Sequence, residues 1–380
     1  MFRFVKRVMN LRRLTRVFLP FRHPTANPSP CRAEGSPSAR WGGELRTFPA
    51  IILAAHIAFA GAVFAPIAAL AHAACPPIPP PVKDLKLERF YDDSAGSIVD
   101  PEKMEAHKAE TAPLLEFVGF ISKQADRANS QRSSPVETAK CALSWIRGWA
   151  EGGAYLGVMD SKQAQAQRKW DLAGTALAYV KLKRFATRQD RAVIEPWLIK
   201  VADAARAHFD DASIKRNNHW YWMGLAAAAV GLAAESDKHW QMAKGISSDA
   251  AKDIAADGTL PLELERKGRA LYYHVFAVEP LVVMAELAAA RGEDWYALND
   301  GALQRLIAKT AEGLADPKVF DKLAGVAQQV PIKTGYGWAH LYRDRFPDRV
   351  NTKIEQPPAH RWLGGDVDVL LRVMGRKEPR

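Results

Sequence analysis

From Pro101 onward nearly every stretch of this sequence spaces its apolar residues three and four apart, and runs of alternating β-branched residues are absent. Only an α-helix puts such a pattern on one buried face, so the chain is predicted to be all-α. The first group of such segments comprises PEKMEAHKAETAPLLEFVGFISKQADRA, PVETAKCALSWIRGWAEGG, KWDLAGTALAYVKLKRFA and QDRAVIEPWLIKVADAARAHF. HWYWMGLAAAAVGLAAES, DKHWQMAKGISSDAAKDI, PLELERKGRALYYHVFAVEPLVVMAELAAARG and GALQRLIAKTAEGLA follow. Short Gly, Asp and Pro punctuation joins them, giving one domain of about ten or more helices. Stacked hairpins forming a toroid and an α-solenoid are the alternatives, and the lack of a strict repeat period counts against the solenoid.

The 380 residues carry a formal net charge of +11 and a pI near 9.5, which taken whole points to nucleic acid or an anionic membrane. The N-terminus removes that reading. FPAIILAAHIAFAGAVFAPIAALAHA, residues 48–73, is apolar, follows Arg46 and ends in Ala71-His72-Ala73, as a secretory signal cleaved after Ala73 should. A retained transmembrane anchor is the weaker alternative. Residues 1–47 then form an extension ahead of the signal, explained by a mis-assigned start with Leu45 as one candidate, or by a cytoplasmic extension. Residues 1–74 hold ten Lys and Arg against two Asp and Glu, leaving 43 basic and 40 acidic residues and a net charge of +3. No nucleic-acid partner and no membrane are therefore expected for the mature chain.

Cys31 falls in the discarded part, and the even pair Cys75 and Cys141 is expected to form a disulfide in an oxidising compartment, two free thiols being the alternative. Residues 74–100 read as an extended proline-rich strap, CPPIPPPVKDL, followed by a loop, RFYDDSAGSIVD; residues 101–375 are the helical domain. None of His208, His239, His274, His340 and His360 has a convincing metal-ligand spacing.

Two sites carry chemistry. In RNNHWYW, Asn217 or Asn218 suits the N-cap of an apolar helix, and the unpaired N–H groups of the first turn make His219 and the asparagine amides a place for an anion. Trp222, four residues after Asn218 and three after His219, lies on the same face and offers a ring for a sugar. In LPLELERKGRALYYHVFA, Arg266, Arg269 and Tyr273 fall at intervals of three and four, a single helical stripe. An arginine facing a tyrosine lowers the phenol's pKa and makes a plausible general base. Taken singly, each site reads equally as a capped core helix or as surface arginines over a core tyrosine.

Together, CPPIPPP, CALSWIRGWA, QRKWDLAG, NNHWYW, ELERKGRALYYH, GALQRL and RWLGGDV, in this order, resemble polysaccharide lyase family five, the alginate lyases that cleave poly-β-D-mannuronate. The resemblance spans about residues 75–367. It implies an incomplete α/α toroid with a deep central cleft, a monomeric periplasmic enzyme acting on an anionic polysaccharide by β-elimination, and no metal or cofactor. By position, Asn218, His219 and Arg266 surround a uronate carboxylate and Tyr273 acts at C5 and the glycosidic oxygen. His219 is the alternative base for a C5 epimer presenting its proton from the other face.

The loop beginning at Arg89 takes the place of that family's mobile lid. Its Asp92, Asp93 and Gly96 depart from the basic lids of alginate-specific members, and Asp92 and Asp93 would repel a polyanion, so polyglucuronate and hyaluronan stand as alternative substrates. Further substrate contacts are expected of Arg89, Tyr91, Arg168, Trp222, Arg269 and Arg345; Trp145, Trp149, Trp170 and Arg343 are weaker candidates, with Trp145 and Trp149 reading best as a core stripe. A non-catalytic exopolysaccharide-binding protein and a helical-toroid glycoside hydrolase are the competing functions.

Overall fold

The computed structural model describes residues 75–130, 134–329, 337–349 and 359–376. The extension at 1–47 and the signal segment at 48–73 lie outside the described residues. Helices α1 (Pro101–Ala128), α2 (Pro135–Glu151), α3 (Lys162–Leu182), α4 (Arg188–Ala207), α5 (Asn218–Ala233) and α6 (Asp237–Asp253) come first. The short α7 (Pro261–Leu264), then α8 (Ala270–Ala290), α9 (Leu298–Ala315), α10 (Lys318–Ala324), α11 (Gly337–Arg345) and α12 (Val367–Val373) complete the order. A two-residue antiparallel pair, β1 (Ala359–His360) and β2 (Gly365–Asp366), brackets a 3-10 turn at Arg361–Leu363. All of this belongs to one compact unit.

Helices α1, α3, α5 and α8 pack in succession as an inner layer, while α2, α4, α6 and α9 back them as the outer arms of antiparallel hairpins. α12 touches both α3 and α8. This is the α/α toroid that the sequence led us to expect. Three of the inner helices have no solvent face: almost every residue of α3, α5 and α8 is buried. α8 is long and apolar enough to cross a bilayer, yet here it is a core helix. Close packing has a local requirement at Gly224 of α5, where a Cβ would stand 2.7 Å from Ile246 of α6 and 2.9 Å from the Met284 sulfur of α8.

The strap is held along its length. Cys75 is bonded to Cys141 of α2. The indole N–H groups of Trp145 and Trp149 donate to the carbonyls of Pro76 (3.1 Å) and Pro79 (3.0 Å), and both rings are core, as their stripe implied. Farther on, Tyr155 N–H donates to the Val82 carbonyl and Leu85 N–H to that of Val158, each at 2.9 Å. The disulfide closes a loop 66 residues apart in sequence. Its reduction, or Cys141→Ser, should lower stability by about 4 kcal/mol through the enlarged unfolded ensemble, read as a shift in the urea midpoint. An unchanged midpoint would mean that the strap's hydrogen bonds already fix the N-terminus.

Candidate active site

Periodicity predicts one continuous helix from Pro261 to Gly292, but the chain breaks it. α7 ends at Leu264, Lys267 takes a left-handed φ of +50°, and a 3-10 turn at Lys267–Arg269 leads into α8. His274 fastens this corner: its Nδ1–H donates to the Ala270 carbonyl (2.8 Å) and its Nε2 accepts from Leu260 N–H (2.9 Å). Burial drives its pKa down to about 4, so it stays neutral in this tautomer. Arg266, Arg269 and Tyr273 are therefore not one helical stripe. The turn still gathers them, with the Arg266 guanidinium 4.2 Å from the Tyr273 ring centroid and that of Arg269 at 5.5 Å.

At the mouth of α5 the cap is Asn217, whose Oδ1 accepts from His219 N–H at 3.1 Å. Asn218 is instead the first helical residue and fully buried. Its backbone N–H and side-chain Nδ2 both donate to Oε1 of Glu263, at 2.7 and 2.9 Å. The other Glu263 oxygen lies 3.7 Å from Arg266 Nε. Burial raises the Glu263 pKa, which the nearby arginine opposes. Asn218, Glu263 and Arg266 thus form one connected polar group between α5 and the α7–α8 corner. His219 is half-buried, its Nδ1 3.1 Å from the ammonium of Lys169 on α3 and its ring 5.8 Å from that of Trp170.

The loop from Arg89 to Asp100 is closed over these residues. The hydroxyls of Tyr91 and Tyr273 are 2.7 Å apart, Arg269 Nη1 donates to the Tyr91 oxygen at 2.9 Å, and Arg266 Nη1 donates to the Ala95 carbonyl at 2.9 Å. Gly96 lies at φ +68°, where a Cβ would fall 2.4 Å from Arg266 Nη1, so glycine permits this approach. The lid's acids are engaged within it. Asp93 accepts from the backbone N–H groups of Ser97 (2.7 Å) and Ile98 (2.8 Å) and from the Ser97 hydroxyl, while Asp92 pairs with Lys103 at 2.7 Å. Those bonds to Asp93 bring its pKa down to about 2 against a desolvation cost that raises it. Arg89 braces the same turn through the Asp93 carbonyl. Repulsion of a polyanion by Asp92 and Asp93 is correspondingly blunted.

Burial also corrects the expected phenol. With its side chain packed beneath Tyr91, Tyr273 has its pKa raised well above 10, first by desolvation and then by Tyr91, outweighing Arg266 and Arg269. In the closed site Tyr273 is a protonated phenol, not a phenolate.

Three expected substrate contacts lie elsewhere. Trp222 is core, 2% exposed, with its indole N–H on the Phe276 carbonyl at 3.1 Å. Arg168 is buried, and its Nη2 donates to Gln165 Oε1 and the Ala204 carbonyl, turning it toward α4. Arg345 makes a two-point pair with Glu286 at 2.6 and 2.8 Å, toward the far end of α8 from Tyr273. Lys169, Glu263 and Trp362 complete the surroundings and were not singled out from the sequence. Trp362 stacks on Trp170 at 4.6 Å, with its indole N–H on the buried Asp171 at 3.1 Å, and burial lifts that carboxyl to about 7.

Known proteins resemble this chain in sequence and in fold. The alginate lyase family model matches residues 84–320. A polysaccharide lyase of Stenotrophomonas maltophilia (strain K279a) is 41% identical over 308 residues, covering 80% of this chain and 92% of that one. An alginate lyase of Azotobacter vinelandii is 33% identical over 314 residues, covering 77% and 83%. Among solved structures, alginate lyase A1-III from Sphingomonas species A1 superposes with a TM-score of 0.65 at 21% identity, covering 77% and 85%. An alginate lyase A1-III variant complexed with a tetrasaccharide gives 0.70, also at 21%, covering 80% and 86%. The second pair establishes the fold, and the match over more than half the sequence, joined to close relatives spanned nearly whole, establishes that the chain belongs to the alginate lyase family.

Proposed function

We propose that this member of the family is a secreted polysaccharide lyase that cleaves a β-linked polyuronate, poly-β-D-mannuronate before others, by β-elimination. The carrying observation is the Arg266 guanidinium lying over the Tyr273 ring at 4.2 Å, at the corner where Asn218 is tied to Glu263 and the charge of Arg266 reaches His219. The C5 proton of a uronate is poorly acidic while the adjoining carboxylate is charged, so an enzyme must offset that charge and stabilise the enolate-like dianion that develops. Arg266 supplies positive charge, Asn218 and His219 supply N–H donors, and Glu263 holds Asn218 and Arg266 in relation to each other.

Opening of the lid frees the Tyr273 oxygen from Tyr91 and removes one of the influences holding its proton. With Arg266 and Arg269 beside it, the exposed Tyr273 gives its phenol proton to solvent, and the resulting phenolate takes the C5 proton. The C4–O4 bond breaks as C4=C5 forms, and the same hydroxyl returns a proton to the departing O4 on that face of the ring. A 4,5-unsaturated uronate is left at the new end. A hydrolase reading needs a free carboxylate pair, whereas Glu263 is fully buried and engaged with Asn218 and Arg266, and Glu265 is paired with Lys215. The signal-like segment at 48–73 and the Cys75–Cys141 disulfide support secretion into the periplasm, and the mature chain is taken to act as a monomer.

The test is incubation of the purified protein with polymannuronate, polyglucuronate and hyaluronan while following ultraviolet absorbance. Polymannuronate should give the strongest signal of an unsaturated end. Reducing ends without absorbance would make the protein a hydrolase, and neither signal would make it a binding protein.

A further inference from the structure

Lys169 sits in α3, 3% exposed, on a helix whose residues are nearly all buried. Among the described residues no carboxylate lies within ion-pair distance of it; its nearest polar partner is Nδ1 of His219 at 3.1 Å, with the Trp170 ring centroid at 4.9 Å. A buried lysine without a counter-charge is costly and calls for a reason. A lysine side chain has N–H donors to offer, whereas a histidine Nδ1 can be either a donor or an acceptor.

We propose that Lys169 is a positioning residue whose ammonium donates to Nδ1 of His219 and thereby fixes His219 as the neutral Nε2–H tautomer, a donor to the substrate carboxylate and not a proton acceptor. The role in turnover rests on the lyase reading above; the tautomer does not. The charges around the ring also favour the neutral imidazole, and the contact with Lys169 selects its tautomer. Lys169 comes from α3, His208 from the end of α4 and Arg266 from the α7–α8 corner, while no acid contributes to the field at His219. Burial first, then Lys169, Arg266 and His208, hold the His219 pKa well below its ordinary 6.5. Burial and Arg168 depress Lys169 in the same way, so the pair accommodates one added proton rather than two, and an arriving carboxylate supplies the missing negative charge.

One chemical consequence follows. With Nε2 protonated, His219 has no lone pair to offer, and both proton transfers fall to Tyr273. The alternative in which His219 is a base for the opposite C5 epimer requires the other tautomer, which Lys169 disfavours.

The experiment is long-range proton–nitrogen NMR on the full chain, with the His219 signal assigned by its loss in His219→Gln. Wild-type protein without ligand should show Nε2 protonated and Nδ1 bare. Lys169→Met should leave a mixture of tautomers and raise the His219 pKa by about one unit, because a nearby positive charge is gone. Lys169→Arg should restore the wild-type tautomer. In turnover, Lys169→Met should lower kcat on the order of 10²-fold, the scale of losing one preorganised donor to developing charge, with KM little changed. An Nδ1-protonated His219 in the wild type overturns the proposal, even if Lys169→Met fails to fold. So does a Lys169→Met protein with unaltered tautomer and pKa, whether or not it has lost activity. If no polyuronate is cleaved by the wild type, the tautomer result still stands or falls by itself.

Discussion

Tyr273→Phe should abolish elimination while leaving the polymer bound. The substitution keeps the ring that Arg266 overlies at 4.2 Å and removes only the hydroxyl, which is both base and acid in the proposed cycle. Loss of a single acid–base group lowers rates by about 10² to 10⁴, and here one atom serves both steps, so kcat should fall at least about 10³-fold. KM and calorimetric affinity should move little. The same change deletes the 2.7 Å bond to Tyr91, worth about 1 kcal/mol net, so the lid of the variant should exchange its amides faster than that of the wild type. Turnover at the wild-type rate would sink the mechanism. Normal turnover with a faster lid would reduce Tyr273 to a latch.

The second large effect is expected at Arg266. Arg266→Met removes the cation that faces the developing dianion, and kcat should fall about 10²- to 10³-fold, the usual cost of losing one preorganised electrostatic partner. Its effect on stability has a sign that can be worked out. Burial already raises the Glu263 pKa above its ordinary 4.5, so the folded state holds that proton more tightly than the unfolded chain. Stability from this group is therefore present at low pH and declines as pH rises from about 4.5 toward the folded-state value. Without Arg266 the folded pKa rises further and the decline extends to higher pH. Urea titrations at acid and neutral pH should show a larger deficit for Arg266→Met at neutral pH, and Arg266→Met with Glu263→Gln should recover part of it. An equal deficit at both pH values would mean that Glu263 is not charged beside Arg266.

What the sequence discloses depends on whether a residue's environment is written in its spacing. The outer helices and α1 have one wet face, so their periodicity locates them closely, and α1 runs over the same residues that its pattern predicts. The inner helices α3, α5 and α8 have no wet face. Spacing along α3 or α5 then cannot say which neighbour a side chain meets, which is why Arg168 was expected in the site when Lys169, a third of a turn away, is the residue beside His219. Trp222 failed for the same reason. The corner at Glu265–Arg269 was unreadable because it depends on Lys267 with positive φ and on His274 bridging Leu260 and Ala270, contacts that no periodic pattern encodes. Arg345 was misplaced because its partner, Glu286, is 59 positions away. Asn218, His219, Arg266 and Tyr273 were nevertheless picked together, because their motifs resemble a family, and the fold brings them to one corner.

The strap behaves as an anchor post for the lid. Leu87 is buried and Asp100 caps α1 through the N–H groups of Glu102 and Lys103, so residues 88–99 are tied at both ends. Tyr91 consequently meets Tyr273 as a tethered reagent, at a local concentration on the order of millimolar or above. A latch of a few hydrogen bonds is then sufficient to close the site. The same weakness lets a bulky charged polymer displace the latch on entry and lets the cleaved ends leave, since tethering raises the frequency of closure without adding to the strength of the closed state.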